Sequence, residues 1–421
     1  MRDASSLAPR RLVDLLLTSV LVIAACGSTD RADGGDGVGG SAGGNEQGER
    51  AQYLAVGTFS TPEGRFGYGN LLSSLEPGTE IDLEASAVFP GIGAIGVADE
   101  PNGEFFVGVA ESPVIQRYRA SEGGGVELTG ELSVFPFGAP SGTGILVIVN
   151  PNKGYLFSFL SRSMIVFDPE SMSLVQNVPV DFNLPDDVPA FFANVALRDG
   201  NRVVIATMGS KNTVIYPATR AVIVDTETDE IKYADREGCG GLVYATKDAA
   251  GDLYFGPLLR LATEILVGVA DPASEACILR MRAGADEFDP DYADLLEVAG
   301  RPVGGLVPGP GNSAYLLAHA DDAAPVTINN YLDLNVRQEW SYQTIDLADP
   351  SRLRPVLGFD DVAGGLVSYE VQEPGRAEAT PFLVRVADDI SESRVFDVTD
   401  PSAPIERYAA PGLALRVFRL R

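Results

Sequence analysis

The stretch AIGVADEPNGEFFVGVAESPVIQRYRASEGGGVELTGELSV, residues 94–134, decides the fold. It contains four short apolar runs separated by turn signals. The first ends at Pro101-Asn102-Gly103. The second, EFFVGVA, stops at Glu111-Ser112-Pro113. The third, VIQRYR, enters a glycine turn, and VELTGELSV closes the unit. Short runs rich in Val, Ile and Phe and bounded by Gly, Pro and Asn read as strands. The stretch ILVIVNPNKGYLFSFLSRSMIVFDPESMSLVQNVPV, residues 145–180, repeats the same order.

Looser copies follow. VALRDGNRVVIAT is answered by AVIVDTETDEIKY, and LVYATKDAAGDLYFG by CILRMRAGADEFDPDY. GLVPGPGNSAYLLAH is answered by SYQTIDLADPSRLRPV, and GLVSYEVQE by SRVFDVTDPSAPIERY. An outer strand followed by Asp with Pro or Thr recurs at Asp168, Asp225, Asp346 and Asp397. Aspartate suits that place because it bonds its own backbone, and proline presets φ. Four strands in every ~50 residues, repeated about seven times, point to a β-propeller. Seven blades fit best, with six or eight as alternatives and a pair of β-sandwiches as the competing all-β architecture. Tyr53-Leu54-Ala55-Val56 is expected to complete the last blade beside Ala414–Phe418, which removes the exposed edges.

The N-terminus has a different character. Arg2, Arg10 and Arg11 form a basic head before the apolar run Leu15–Ile23. That pattern is a secretory signal peptide, and the run is too short to span a bilayer. Ile23-Ala24-Ala25-Cys26 resembles the bacterial lipobox, so Cys26 is the expected site of lipidation after cleavage. The alternatives are an ordinary signal peptide and a chance apolar run. Residues 27–50 contain nine glycines and no large apolar side chain, the composition of a flexible tether. The expected organisation is therefore a signal peptide at 1–25, an acylated cysteine and linker at 26–50, and the propeller at 51–421. The expected location is the bacterial envelope, on the outer membrane, with the lipid as membrane partner.

The 421 residues include 31 basic and 59 acidic ones, a net charge of −28. A chain this acidic repels nucleic acid and anionic lipid. Solubility is the plain reason for such charge, an acidic docking surface the alternative. Cys239 and Cys277 remain after Cys26, and an even pair in an exported chain is expected to form a disulfide. Two buried free thiols are the alternative. His319 is the only histidine, which disfavours most zinc sites and a Ser-His-Asp apparatus. No phosphate loop, nucleophile elbow or dinucleotide fingerprint is present, and no cofactor is expected. The acidic run AGADEFDPDYAD, residues 283–294, lacks the glycine and terminal Glu of an EF-hand loop and reads as an outer hairpin turn.

The loop between the second and third strands is short in the two regular copies. It lengthens at 207–220, 256–276, 318–343 and 372–381, and the first blade offers 58–70. All are expected on one face, where long loops on a rigid scaffold carry binding. They hold Arg65, Tyr68, Lys211, Tyr216, Arg220, Arg260, His319, Tyr331, Arg337 and Trp340. Arginine pairs with carboxylate or phenolate oxygens, and Tyr and Trp stack on flat ligands. Arg65, Tyr68, Tyr216, Arg220, Arg260, His319, Arg337 and Trp340 are the candidate ligand-binding set. Side chains that merely cover the loops are the alternative.

VIQRYRASEGGGVELTGELSVFPFG (114–138), NKGYLFSFLSRSMIVFDPESM (152–172) and EACILRMRAGADEFDPDY (275–292) followed by GRPVGGLV (300–307) resemble the MxcI-type lipoproteins of myxochelin siderophore gene clusters. The resemblance runs loosely over 52–421 and is strongest at 145–175 and 275–307. Its motifs are structural turns, and no binding residue carries over. It implies a non-enzymatic envelope propeller that binds a ferric siderophore in iron uptake. A charge of −28 opposes an anionic catecholate complex unless the site is locally positive. The rival functions are an interaction scaffold for an outer-membrane receptor and a propeller hydrolase or lactonase. The last usually needs several carboxylate, Asn or His ligands around the axis.

Overall fold

The computed structural model describes residues 52–421 except 62–63, 99–101, 122–124, 291, 335–336, 365–367, 375 and 377, and of Arg65 only the backbone. Cys26 and the segments 1–25 and 26–50 lie outside the described residues.

Seven antiparallel sheets stand around one axis as a seven-bladed β-propeller. The decisive stretch is the second blade. Its strands Ile92–Val97, Glu104–Val109, Val114–Ala120 and Val126–Ser133 follow one another outward from the axis. The third blade runs Ile145–Asn150, Lys153–Ser158, Ser163–Asp168 and Ser173–Pro179 in the same order. The fourth runs Ala190–Asp199, Arg202–Lys211, Ala218–Asp225 and Ile231–Glu237. The fifth has Leu242–Lys247, Leu253–Pro257 and Leu279–Met281. Its fourth place is taken by irregular chain, with Asp289 N–H on Arg280 O at 2.8 Å and Ile278 N–H on Ala293 O at 2.8 Å. The sixth has Val303–Pro308, Ser313–His319, Trp340–Asp346 and Leu353–Pro355. The seventh has Ser368–Val371, Thr380–Val386, Glu392–Asp397 and Ile405–Pro411.

The first blade closes the ring. Its inner strand is the C-terminal Leu413–Arg419, and Tyr53–Thr61, Gly64–Leu72 and Ala87–Phe89 complete it. Tyr53 pairs with Arg419 and Ala55 with Val417, as the sequence led us to expect. Thr79–Glu80 adds a short parallel pairing to the outer strand of the seventh blade, a second tie across the seam.

The repeated aspartates have one job. Asp168, Asp225, Asp346 and Asp397 each end a third strand and accept the N–H of the residue two further on, at 2.8–2.9 Å. Each bond opens the turn to the fourth strand. The acidic run at 283–294 serves structure too. Asp294 accepts from Leu296 N–H at 2.8 Å and caps the short helix Leu295–Ala299.

No blade buries both faces alone, so the core lies between blades. Leu54, Phe89, Phe105 and Phe418 fill the junction of the first two, all nearly inaccessible to solvent. Each such side chain contributes roughly 1.5–3 kcal/mol on burial. Strand alternation gives the ring two faces. One, here the upper, carries the second-to-third-strand loops and the passages between blades. The lower carries the first-to-second and third-to-fourth turns.

Candidate functional site

The upper face holds most of the long insertions, but structure consumes them. Residues 58–70 are largely paired strand, with Ser60 opposite Arg65 and Thr58 opposite Gly67. Residues 207–220 are mostly extended strand plus a small hairpin in which Val214-Ile215 pairs with Ser210-Lys211. Residues 256–276 contain the helix Leu259–Leu266, which the strand-like composition of the chain concealed. It leans on Gly304 of the sixth blade, where a Cβ would sit 2.8 Å from Leu259 N. The insertion at 372–381 joins the first and second strands of the seventh blade, so it lies on the lower face, a correction to the single-face expectation. The error came from counting Ser368–Val371 as a second strand.

The candidate side chains are scattered and engaged. Tyr68 is buried, with its hydroxyl against Gly57, where a Cβ would meet it at 2.2 Å. Burial alone holds its phenol far above the ordinary value. Tyr216 is half-buried, its N–H on Gly209 O at 2.9 Å. Arg220 grips Asp235 at 2.6 Å and Asp181 at 2.7 Å and lies 4.5 Å over the Tyr233 ring. Lys211 pairs with Asp187, and Tyr331 is half-buried. Arg260 is buried beside Glu264 at 2.8 Å, and Glu264 also accepts Ile215 N–H at 3.0 Å. That cluster ties the helix to the fourth blade's hairpin. In the sixth blade His319 stands edge-on to Trp340 with ring centroids 5.5 Å apart. Burial lowers the His319 pKa, against the pull of Glu339. Trp340 is fully buried, its indole N–H on Leu334 O at 2.8 Å. Arg337 pairs with Glu339 at 3.3 Å. The side chain of Arg65 lies outside the described residues. Among the described residues these groups line no common pocket. The upper-face loops and passages instead expose Phe135, Leu160, Leu266, Ile328 and Ile390.

A different site lies at the lower mouth of the central channel. A cavity of about 330 Å³ opens there between inner strands and turns of the first, fourth, fifth, sixth and seventh blades. Lys247 ends the fifth blade's inner strand, Glu370 sits on the seventh's and Arg416 on the first's, and all three line it. Gln372 and Glu378 come from the 372–381 insertion. Glu370 sits below the ring surface, enclosed on most sides, with an edge still open to the channel. Burial pushes its carboxyl up to about 7 against the charges of Arg416 and Lys247, and Glu378 adds to the rise. Lys247 Nζ donates to Arg198 O at 3.3 Å, and the Arg416 guanidinium lies 5.0 Å over Phe418. Asp248 is occupied by its own turn, accepting Ala250 N–H, Asp252 N–H and the Tyr254 hydroxyl at 2.9–3.0 Å. Ser368 Oγ is buried at the cavity wall with no hydrogen-bond partner among the described residues. These groups combine two cations, an acid able to exchange a proton near neutral pH and hydroxyl or amide partners. That set can hold a small polar ligand. None of the three central residues stands in a motif. Only their place on inner strands around the channel marks them, and that requires the blade register.

Cys239 and Cys277 are bonded, with Cα atoms 5.5 Å apart. Cys239, Glu275 and Cys277 are the one group of three potential metal-ligating side chains found close together among the described residues, and the disulfide consumes two of them. A carboxylate ring at the axis, expected of a metal-dependent hydrolase, is not formed among the described residues. Among them, too, no helix is long and apolar enough to cross a membrane.

No family model and no curated protein matches the chain. Solved structures do. The periplasmic gluconolactonase of Pseudomonas aeruginosa aligns over 88% of this chain and 99% of its own, at 14% identity and a TM-score of 0.50. A Bacteroides fragilis protein described as a candidate 6-phosphogluconolactonase aligns over 86% and 95%, at 11% identity and a TM-score of 0.49. Apo AztD of Citrobacter koseri aligns over 88% and 97%, at 11% identity and a TM-score of 0.42. At such identities the likeness to the first extends to the fold and no further.

Proposed function

We propose that this chain is a non-enzymatic lipoprotein of the bacterial outer membrane, anchored through Cys26, whose propeller binds a ferric siderophore at the lower channel mouth. The observation that carries the binding reading is the convergence of Lys247, Glu370 and Arg416 on one cavity from three separate blades. The siderophore part is supported by the sequence resemblance at 145–175 and 275–307. Arg416 and Lys247 also supply local positive charge in a chain of −28. A cavity of about 330 Å³ is at the small end for ligand sites, so one arm of a chelate enters it while the rest stays at the mouth. Calorimetry on the full chain in detergent tests this with ferric and iron-free catecholate siderophores. Saturable binding of the ferric form, weakened about tenfold or more by Arg416→Gln, is the expected result. Absence of heat with every chelate overturns it. Labelling with radioactive palmitate, lost in Cys26→Ala, tests the anchor.

Glu370 alone favours a second reading, hydrolysis of a small lactone at the same mouth. A carboxyl near 7 beside cations can move a proton at neutral pH. Turnover of glucono-δ-lactone that disappears in Glu370→Gln would establish it.

A further inference from the structure

The wall of the channel mouth is more selective than a general polar cleft. Its two cations enter from different blades, Arg416 from the first and Lys247 from the fifth, with Glu370 of the seventh between their fields. Acidic groups face the same space. Glu378 reaches it from the insertion, whereas Asp248 is turned into the fifth blade. Ser368, two residues before Glu370 and on the same side of its strand, has a buried hydroxyl without a partner among the described residues. In most proteins such a buried hydroxyl is satisfied, so an open one at a cavity wall marks where an outside group belongs.

We propose that this mouth takes a small hydroxycarboxylate, alone or as the donor arm of an iron chelate. The ligand carboxylate lies toward Arg416 and Lys247, and its hydroxyls meet Glu370 and Ser368. This rests on the binding reading above and narrows it to a ligand class. Two cations suit a carboxylate by charge-assisted hydrogen bonds. A protonated Glu370 donates to the incoming anion or its hydroxyl, whereas an ionised one repels it. Binding therefore takes up a proton when the free site is ionised. With the carboxyl near 7, affinity falls up to about tenfold from pH 6 to pH 8 if only the protonated site binds. The other charged groups facing Glu370, which are Arg416, Lys247 and Glu378, belong to the same balance.

The test is calorimetry on the full chain in detergent at pH 6 and pH 8, with citrate, D-gluconate, ferric citrate and sorbitol as a neutral polyol. The proposal expects saturable binding of at least one carboxylate, none of sorbitol, and weaker binding at pH 8. Arg416→Gln and Lys247→Gln, each checked for an unchanged melting curve, lower affinity about tenfold. Glu370→Gln abolishes the difference in affinity between the two pH values. Equal binding of sorbitol, or an undiminished pH dependence in Glu370→Gln, overturns the proposal. If a ferric catecholate binds but no carboxylate binds or competes, the ligand class is wrong and the binding reading stands. If nothing binds, both fall.

Discussion

Leu54, in the first strand of the described chain, faces Phe418, in the last, across the seam that makes the ring continuous. Both are almost completely buried, and they pack with Phe89 of the same blade and Phe105 of the second. The seam joins strands more than 360 residues apart in the chain, so its packing ties the whole ring. Leu54→Ala leaves a cavity that neighbouring blades cannot fill by local shifts. The expected cost is about 2–5 kcal/mol, read as a lower urea midpoint with an unchanged slope.

The disulfide makes a more local tie. Cys239 follows the outer strand of the fourth blade, and Cys277 precedes the third strand of the fifth. The 38-residue separation spans the fifth blade's inner hairpin and the helix Leu259–Leu266. Closing a loop of that length stabilises by about 3–4 kcal/mol in the chain-entropy view. The double variant Cys239→Ser with Cys277→Ser should unfold at correspondingly lower denaturant. Reductant should then affect the parent and not the variant.

An acid-sensitive contact lies at the outer side of the seventh blade. Arg407 bonds Asp397 at 2.6 Å, both buried, and also donates to Leu75 O at 3.3 Å. Burial pushes the Asp397 carboxyl up, but the Thr399 N–H and hydroxyl and the Arg407 guanidinium outweigh it and leave the pKa lowered. A carboxyl with a depressed folded value stabilises above its unfolded value, near 4, and loses that contribution as pH falls through the folded one. Asp397→Asn should cost about 3 kcal/mol at pH 7. Its disadvantage relative to the parent should shrink below about pH 4, in paired melting curves.

These contacts show what the sequence made legible. Blade number, the aspartate at the end of third strands and the meeting of Tyr53–Val56 with Ala414–Phe418 all follow from local signals. Strand period, turn residues and Asx geometry are readable over a few residues. The site was not readable in that way. Arg220 and Arg260 look like ligand cations because their partners, Asp181, Asp235 and Glu264, are assigned by tertiary approach. Glu370 looks like any strand residue until three blades close around it. The insertion at 372–381 was visible, but its face depended on whether Ser368–Val371 was a first or a second strand. A one-strand slip in that count moves a loop across the ring.

Trp340 tests this division of faces directly. It is the only tryptophan, so emission has one source. The indole is fully buried on the upper side of the sixth blade, held by Leu334 O at 2.8 Å and flanked by His319. A dry indole with a satisfied N–H emits to the blue and is shielded from a polar quencher. The native chain should therefore show blue-shifted emission and little quenching by acrylamide, with both features lost together on urea unfolding. A ligand seated between Lys247 and Arg416 occupies the opposite end of the channel and should leave that emission nearly unchanged. Strong quenching by a ligand whose binding also survives Arg416→Gln would place the site among the upper loops and remove the channel mouth from consideration.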